Sequence, residues 1–350
     1  MRQLIYARPR QLRWEEAPPP RLGSDAAALV RPLSVATCDL DALILAGHSP
    51  FSPPFALGHE CVGEIVELGD AVSSLRVGQR VSVPFQISCG SCAACLRGHT
   101  SNCQTVPRSS TYGFGPQVAV WGGFFSELVL VPFADHMLVP IPDALASGAL
   151  ASASDNIADG WRCVAPALGR EPGAEVMVVG GFGPGSIGLY AAAIAVSLGA
   201  ERVVYVDRDE QRGQIAASVG AEVFAEERPR RLGPFPITVD ASGDADALAF
   251  ALRSTAPDGE CTSAAIYFGP PPDLPLLEMY EKVVTFRTGR SHARPSIPPI
   301  LDLVAEGKLQ PERVSSHTVS WEHAVDALLE LDWTKLIVER QDPGPVPASG

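Results

Sequence analysis

Hydrophobic and polar positions change their rhythm twice along this 350-residue chain. Up to about residue 140 the apolar runs are short and closely punctuated by Gly and Pro, as in ECVGEIVELG, RVSVPF and FSELVLVPF. Such runs are too brief for helices, and their frequent turns predict a small β-barrel or sandwich. From about 155 to 288 strand-like runs alternate with Ala-rich helical stretches. VMVV, RVVYVD, AEVFA, ITVDAS and CTSAAIYFG read as the strands. That alternation predicts a parallel, doubly wound α/β sheet. Beyond 289 the pattern gives a helix in PPILDLVAEG, then a helix and a strand in HAVDALLELDWTKLIVE. The terminal DPGPVPASG reads as a disordered tail. No internal repeat is visible.

Val176 to Ala200 has no charged residue and resembles a membrane span. It is broken by GGFGPGSIG, which is turn chemistry, so it reads as a buried strand, a glycine turn and an apolar helix. The length suits two domains. With 27 Lys+Arg against 40 Asp+Glu the net charge is −13, which disfavours nucleic acid and anionic lipid as partners. The N-terminus, MRQLIYARPR, lacks the apolar core of an export signal. Together with eight cysteines, it predicts a reducing, cytoplasmic setting in which thiols bind metal.

Cys89, Cys92, Cys95 and Cys103 follow C-x2-C-x2-C-x7-C, a spacing that lets one loop fold four thiolates around a tetrahedral ion. Four thiolates leave no open position, so the expected zinc is structural. Disulfides and an iron–sulfur cluster are the competing readings. The reducing setting weighs against the first, and Gln104 rather than Pro after the last cysteine weighs against the second.

Gly183-Pro-Gly185-Ser186-Ile187-Gly188, preceded by Gly181, fits G-x-G-x-x-G between a buried strand and an uncharged helix. The glycines permit a tight turn, and a pyrophosphate can rest on the helix N-terminus. Asp207 ends the next strand, 19 residues past Gly188. Its carboxylate can accept from both ribose hydroxyls and would repel a 2′-phosphate, favouring NAD over NADP; Arg208 beside it softens that preference. A third cluster is looser. His59 and Glu60 lie in GHECVGEIVELGDAV, Cys38 is 21 residues upstream of His59, and Asp155 stands where the two textures meet. A thiolate and an imidazole suit Zn²⁺, and a ligand at this junction would put the metal in a cleft between domains.

With these motifs the chain resembles, from end to end, the zinc-containing medium-chain alcohol dehydrogenases. GHECVGEIVELGDAV is similar to their GHE-x2-G-x5-G-x2-V zinc signature, the cysteine lobe to their structural zinc site, and GFGPGSIG with Asp207 to their NAD site. The Ser-Asp-Asn-Ile run around Asp155 looks like the branch in which Asp is the third zinc ligand, as in formaldehyde dehydrogenase-like members. The resemblance implies a GroES-like β-rich catalytic domain over 1–154 and 289–350, with the zinc lobe at about 88–104. A Rossmann NAD-binding domain would span 155–288. It further implies Cys38, His59 and Asp155 as catalytic zinc ligands, with Cys163 the less suitable third candidate because WRCVAPAL reads as mid-helix. Glu60 would be an exchangeable fourth ligand or a neighbour of the ligands, and Lys335 would point at the cofactor pyrophosphate. Two zinc ions per chain, NAD, a small alcohol or carbonyl substrate and a homodimer or homotetramer complete the expectation.

One departure stands out. Family members carry Ser or Thr two residues after the first ligand, as a proton relay, whereas this chain reads Cys38-Asp39-Leu40-Asp41-Ala42-Leu43. Leu40 takes the hydroxyl position and Leu43 that of the usual relay histidine. A hydrocarbon carries no proton. Asp39, Asp41 and His48 are the candidate substitutes. The expected activity is hydride transfer between an alcohol or carbonyl and NAD(H), with zinc polarising the substrate oxygen. A zinc-independent reductase on the same fold, or a catalytically silent NAD-binding protein, are the alternatives that Leu40 and Leu43 motivate. His292 is a further residue placed near the cofactor, and Phe85, Tyr112 and Trp121 are aromatics for either a pocket or the core.

Overall fold

The computed structural model describes residues 1–114, 121–181 and 183–340. The terminal tail singled out above lies outside them. Residues 1 to 140 form β-rich structure around one apolar core that includes Leu4, Val30, Ile65, Val83, Phe124 and Phe125. A seven-stranded sheet runs in the order His317–Ser320, Leu336–Glu339, Ala28–Ala36, Glu60–Leu68, Arg80–Val83, Val139–Pro140, with Val129–Val131 also paired to Ala28–Ala36. A three-stranded sheet of Gln11–Glu16, Arg2–Arg8 and Phe55–Ala56 lies beside it. The C-terminal strand pairs antiparallel with the N-terminal region, Ile337 opposite Ala36 and Glu339 opposite Ser34. This return places Lys335 beside Thr37, directly before Cys38.

A six-stranded sheet occupies the middle of the chain, in the order Glu222–Phe224, Val203–Val206, Val176–Val179, Phe235–Asp240, Thr255–Ser263, Thr285–Thr288. All of its pairings are parallel. The uninterrupted apolar run VMVV has a simple cause. Val176 and Val178 pack on one face against the helices Asn156–Arg170 and Ser186–Ser197, while Met177 and Val179 pack on the other against Leu248 and Phe250. A strand covered on both faces has no polar alternation to show. The segment Val176–Ala200 therefore becomes strand, turn and helix, and among the described residues no helix is long and apolar enough to cross a membrane.

Two local expectations need correction. The strand expected in CTSAAIYFG is Thr255–Ser263 instead, so Ala264 to Phe268 leave the sheet. The edge strand Thr285–Thr288 went unread because three of its four residues are exposed and nothing in the run alternates. The helix Ala293–Ala305 bridges the two halves. Ile300 and Leu303 join the core of the parallel sheet, while Ile297 and Leu301 pack against Val62, Val139 and Ile141.

Candidate active site and metal centres

The four sulfurs of Cys89, Cys92, Cys95 and Cys103 lie within 4.8 Å of one another, and no disulfide links them. Donors already point at the sulfurs. Cys89 Sγ accepts from the Cys92 amide at 3.3 Å and from Thr105 Oγ1 at 3.0 Å, and Cys92 Sγ from the Gln104 amide at 3.4 Å. Burial alone would raise the Cys89 thiol, yet hydrogen bonds from Thr105 and Ser91 overcome it and bring the group to about 5. Cys89 and Cys92 are drawn toward the thiolate by these donors while burial raises the Cys95 thiol, and four convergent sulfurs with donors directed at two of them fit a structural Zn²⁺. His292 does not approach the dinucleotide turn. Its Nδ1 accepts from the Ser101 amide at 3.1 Å and its ring stacks on His99, pinning the lobe to the start of the Ala293–Ala305 helix.

A second cluster brings Cys38, His59 and Asp155 together, again with ligand atoms within 4.8 Å, all three residues buried. Each stands at the end of a helix or strand. Cys38 caps the helix Asp39–Ala46, His59 immediately precedes the strand Glu60–Leu68, and Asp155 caps the helix Asn156–Arg170. His59 Nε2 is 3.3 Å from Asp155 Oδ2, and neither imidazole nitrogen has a hydrogen-bond partner. An unpartnered buried ring beside a thiol and a carboxyl is costly as it stands. A divalent cation removes that cost, and the N, S, O donor set suits zinc. Without it, burial and the neighbouring carboxylates push the Cys38 thiol well up, burial lowers His59, and burial raises Asp155 to about 6.

Asp41 was a proton-path candidate; the structure gives it another task. It is fully buried, its Oδ2 accepts from the Cys38 amide at 2.8 Å, and its Oδ1 lies 3.7 Å behind His59 Nδ1. It thus closes a capping box around Cys38 and faces the imidazole from the side away from Asp155. His48 is exposed.

Lys335 departs from expectation, and Glu60 takes the second of its two expected places, as a neighbour of the ligand cluster. Glu60 is outside the three-ligand cluster: Oε2 accepts from Lys335 Nζ at 2.7 Å and Oε1 from the Asn156 amide at 3.0 Å. Lys335 is 0% exposed, also donates to the Thr37 carbonyl, and so does not reach the glycine turn. The pairing of the C-terminal strand beside Ser34–Ala36 aims it into the floor of the ligand cluster instead. Burial raises Glu60 to about 7 even against this lysine. Cys163 is buried in the core of the parallel sheet, away from the three ligands.

The glycine turn has the form a dinucleotide requires. Gly183 and Gly185 have φ of 83° and 74°, and a Cβ at Gly181 would sit 2.8 Å from Ser242 Cα. Gly185 caps the helix Ser186–Ser197, and Gly188 lies against the strand Val176–Val179, where its Cβ would touch Val178. Asp207 ends its strand beside this turn and, with Arg208, lines a cavity of ≈ 610 Å³. Sequence reading missed Arg212. Its guanidinium binds Asp207 through Nε–Oδ2 at 2.7 Å and Nη2–Oδ1 at 3.0 Å, and Nη1 donates to the Gly183 carbonyl at 2.8 Å. Only the helical turn Asp209–Gly213 brings it there, so no motif marks it.

A second cavity, ≈ 660 Å³, contains Cys38 and Asp155 at one end and Gly183 and Ile187 at another. Its walls include Leu40, Leu43, Phe51, Phe85, Phe114 and Phe268, with Phe114 4.1 Å from the His59 ring. Phe85 is the expected aromatic that lines it. Tyr112 is core, its hydroxyl bound to the Leu130 carbonyl, and Trp121 packs at the edge of the same core. Asp159, one turn past Asp155, also faces this cavity and pairs with Arg162. Here too the sequence carried no signal beyond the i, i+4 spacing.

A β-rich domain with a glycine-turn parallel sheet and two clusters of metal-ligating residues defines a dehydrogenase class, and comparison with known proteins agrees. Residues 24–143 match the alcohol dehydrogenase GroES-like domain and 186–306 the zinc-binding dehydrogenase domain. A medium-chain reductase/dehydrogenase of Acremonium sp. is 31% identical over 226 residues, 63% of this chain and 74% of that protein. A glutathione-independent formaldehyde dehydrogenase of Pseudomonas aeruginosa is 32% identical over 235 residues, covering 63% of this chain and 58% of that one. The alcohol dehydrogenase of Thermus sp. ATN1 superposes with a TM-score of 0.86 at 29% identity, over 97% of this chain and 100% of its own. The chain belongs to the zinc-containing medium-chain dehydrogenase/reductase family. It is a zinc-dependent oxidoreductase of small alcohols or carbonyls that works with a nicotinamide dinucleotide.

Proposed function

We propose that Cys38, His59 and Asp155 hold the catalytic zinc, that Cys89, Cys92, Cys95 and Cys103 hold the structural one, and that NAD lies along Gly181–Gly188 with its adenosine ribose at Asp207. The observation that carries this reading is one cavity joining the three-ligand cluster to the glycine turn. When bound, zinc polarises the substrate oxygen and the dinucleotide exchanges hydride with the adjoining carbon. The chain's own residues do the rest. Asp41 sets a carboxylate behind the His59 ring, Lys335 keeps Glu60 turned from the ligands, and the leucine and phenylalanine walls exclude water and grip an apolar substrate body. Leu40 and Leu43 face the cavity without a proton to give, whereas Asp159, held by Arg162, is an ionisable group there. The substrate is therefore an alcohol or aldehyde with an apolar body.

Residues 155–288 are assigned as the coenzyme domain and the remainder as the catalytic domain, in a cytoplasmic homo-oligomer. The eight unpaired thiols support the compartment. An exposed apolar face supports the oligomer: Leu276, Leu277, Tyr280 and Val283 are 65, 70, 82 and 66% exposed beside the edge strand Thr285–Thr288. The test of the site is zinc content and NADH formation across an alcohol panel. Wild type should carry near two zinc ions, and Cys38→Ala and His59→Ala near one, with NADH formation abolished. Undiminished turnover in either variant would end the zinc reading.

A further inference from the structure

The amides at the start of a dinucleotide-binding helix are normally free for the ligand's phosphates. Here they are taken. Asp39, the residue after the ligand Cys38, reaches across to the coenzyme half, and its Oδ1 accepts from the Ser186 amide at 2.9 Å and from Ser186 Oγ at 2.6 Å. Its Oδ2 accepts from the Ile187 amide at 3.1 Å. Ser186 and Ile187 open the 12-residue helix Ser186–Ser197, and that helix receives no side-chain cap from its own N-cap, Gly185. Asp39, Gly183 and Ile187 line the same cavity, so the carboxylate sits inside the dinucleotide path.

We propose that Asp39 is an internal stand-in for the cofactor pyrophosphate, a residue that competes for the helix N-terminus and thereby sets how tightly and how long the dinucleotide is held. The inference rests on the dinucleotide reading of the glycine turn given above. Two anions cannot share the same pair of peptide N–H groups, and each opposes the other through charge. The carboxylate must leave those amides when the pyrophosphate takes them, and it is on hand to return as the dinucleotide departs. The side chain has the freedom to do this. It stands in the first turn of the helix Asp39–Ala46 and is only half-buried, whereas Asp41 two residues on is locked in the capping box.

The exchange touches the metal side as well. Ser186 Oγ lies 2.8 Å from the side-chain amide of Asn156 as well as 2.6 Å from Asp39. Asp39 adjoins the ligand Cys38 and Asn156 adjoins the ligand Asp155, so the neighbours of two ligands meet on one hydroxyl at the mouth of the cofactor site. Asp39 is thus a positioning residue for the dinucleotide. Its hydrogen bonds go to Ser186 and Ile187, not to the three ligand atoms.

The test is NADH binding to the zinc-loaded protein, by fluorescence titration and stopped-flow displacement, in wild type, Asp39→Asn and Asp39→Ala. Amide hydrogen exchange at Ser186 and Ile187 is followed in parallel. Removing the competing charge should tighten NADH at least about tenfold, equivalent to about 1.4 kcal/mol, chiefly through slower release. In the absence of NADH the two amides should be protected in wild type and exchange fast in Asp39→Ala; added NADH should protect them in both. Asp39→Asn, nearly the same size, keeps the measurement sound if the Ala variant is poorly folded. Unchanged or weaker binding in both variants, with wild type binding normally, overturns the role of Asp39 alone. Failure of wild type and both variants to bind NADH overturns the dinucleotide reading, and this inference with it.

Discussion

Asp41 shows how much one side chain can do in this chain. The same carboxylate closes the capping box on Cys38 and stands 3.7 Å behind His59 Nδ1, so it adjoins two of the three candidate ligands at once. Groups behind metal-bound imidazoles typically contribute 10–100-fold to metal affinity or activity. Asp41→Ala should therefore lose the catalytic zinc about 10–100-fold more readily in a competition titration against a chelator, while the cysteine-lobe zinc stays put. Asp159 lends itself to a pH test. Burial raises it from the ordinary 3.8 to about 6 despite Arg162. A raised carboxyl favours the fold while protonated, so its contribution is complete below about pH 4 and is lost as pH rises through about 6. From about pH 5 to pH 7 this loss amounts to about 1 kcal/mol. Urea unfolding of Asp159→Asn should show a flatter decline over that range than wild type. The slopes are compared, because Arg162 loses its partner and absolute stability falls for that reason too.

Among the elements, the cysteine lobe contributes none of its residues 88–104 to the apolar cores, so its order is expected to rest on its ion and its anchor. Cys95→Ser should remove one zinc per chain and bring fast hydrogen exchange throughout residues 88–104, because a structural zinc site contributes folding energy directly. His292→Ala should loosen the lobe's contact with the Ala293–Ala305 helix while keeping both zinc ions. A lobe equally ordered in both variants would mean that neither metal nor anchor holds it. The helix Ser186–Ser197 makes the complementary case: its N-cap is Gly185, which has no side chain, so its start is capped from outside, by Asp39 or by a ligand.

For the whole molecule, the exposed face of Leu276–Lys282 beside the sheet edge is the feature that a lone chain does not explain. Tyr280→Glu and Leu277→Glu should convert the assembly to monomer in sedimentation velocity without loss of either zinc. A wild-type monomer would remove the oligomer proposal. At this scale the legibility of the sequence also becomes uneven. Gly183, Gly185 and Asp207 were readable because a glycine turn and a strand-ending carboxylate are local objects. Cys38, His59 and Asp155 needed a family resemblance to be joined, since 117 positions separate the first from the last. Arg212, the Asp39 contact and the path of Lys335 were not legible. Each depends on where a distant backbone lies, and residue type there is compatible with an ordinary surface or core role.

What the sequence determined by itself is what short-range chemistry dictates. Continuous apolar runs between turns produced the two-faced parallel sheet, Gly and Pro punctuation produced the β-rich half, and cysteine spacing produced the lobe in which four sulfurs converge. What only the tertiary structure decided is which charge answers which. The strand Leu336–Glu339, pairing beside Ser34–Ala36, sends Lys335 to Glu60 rather than to the cofactor turn. The placement of the helix Asp39–Ala46 beside the parallel-sheet half sends Asp39 to the amides of Ser186 and Ile187. A buried or half-buried charge takes the partner that folding brings within about 3 Å, and at that distance electrostatics and hydrogen bonding outweigh any pattern along the chain.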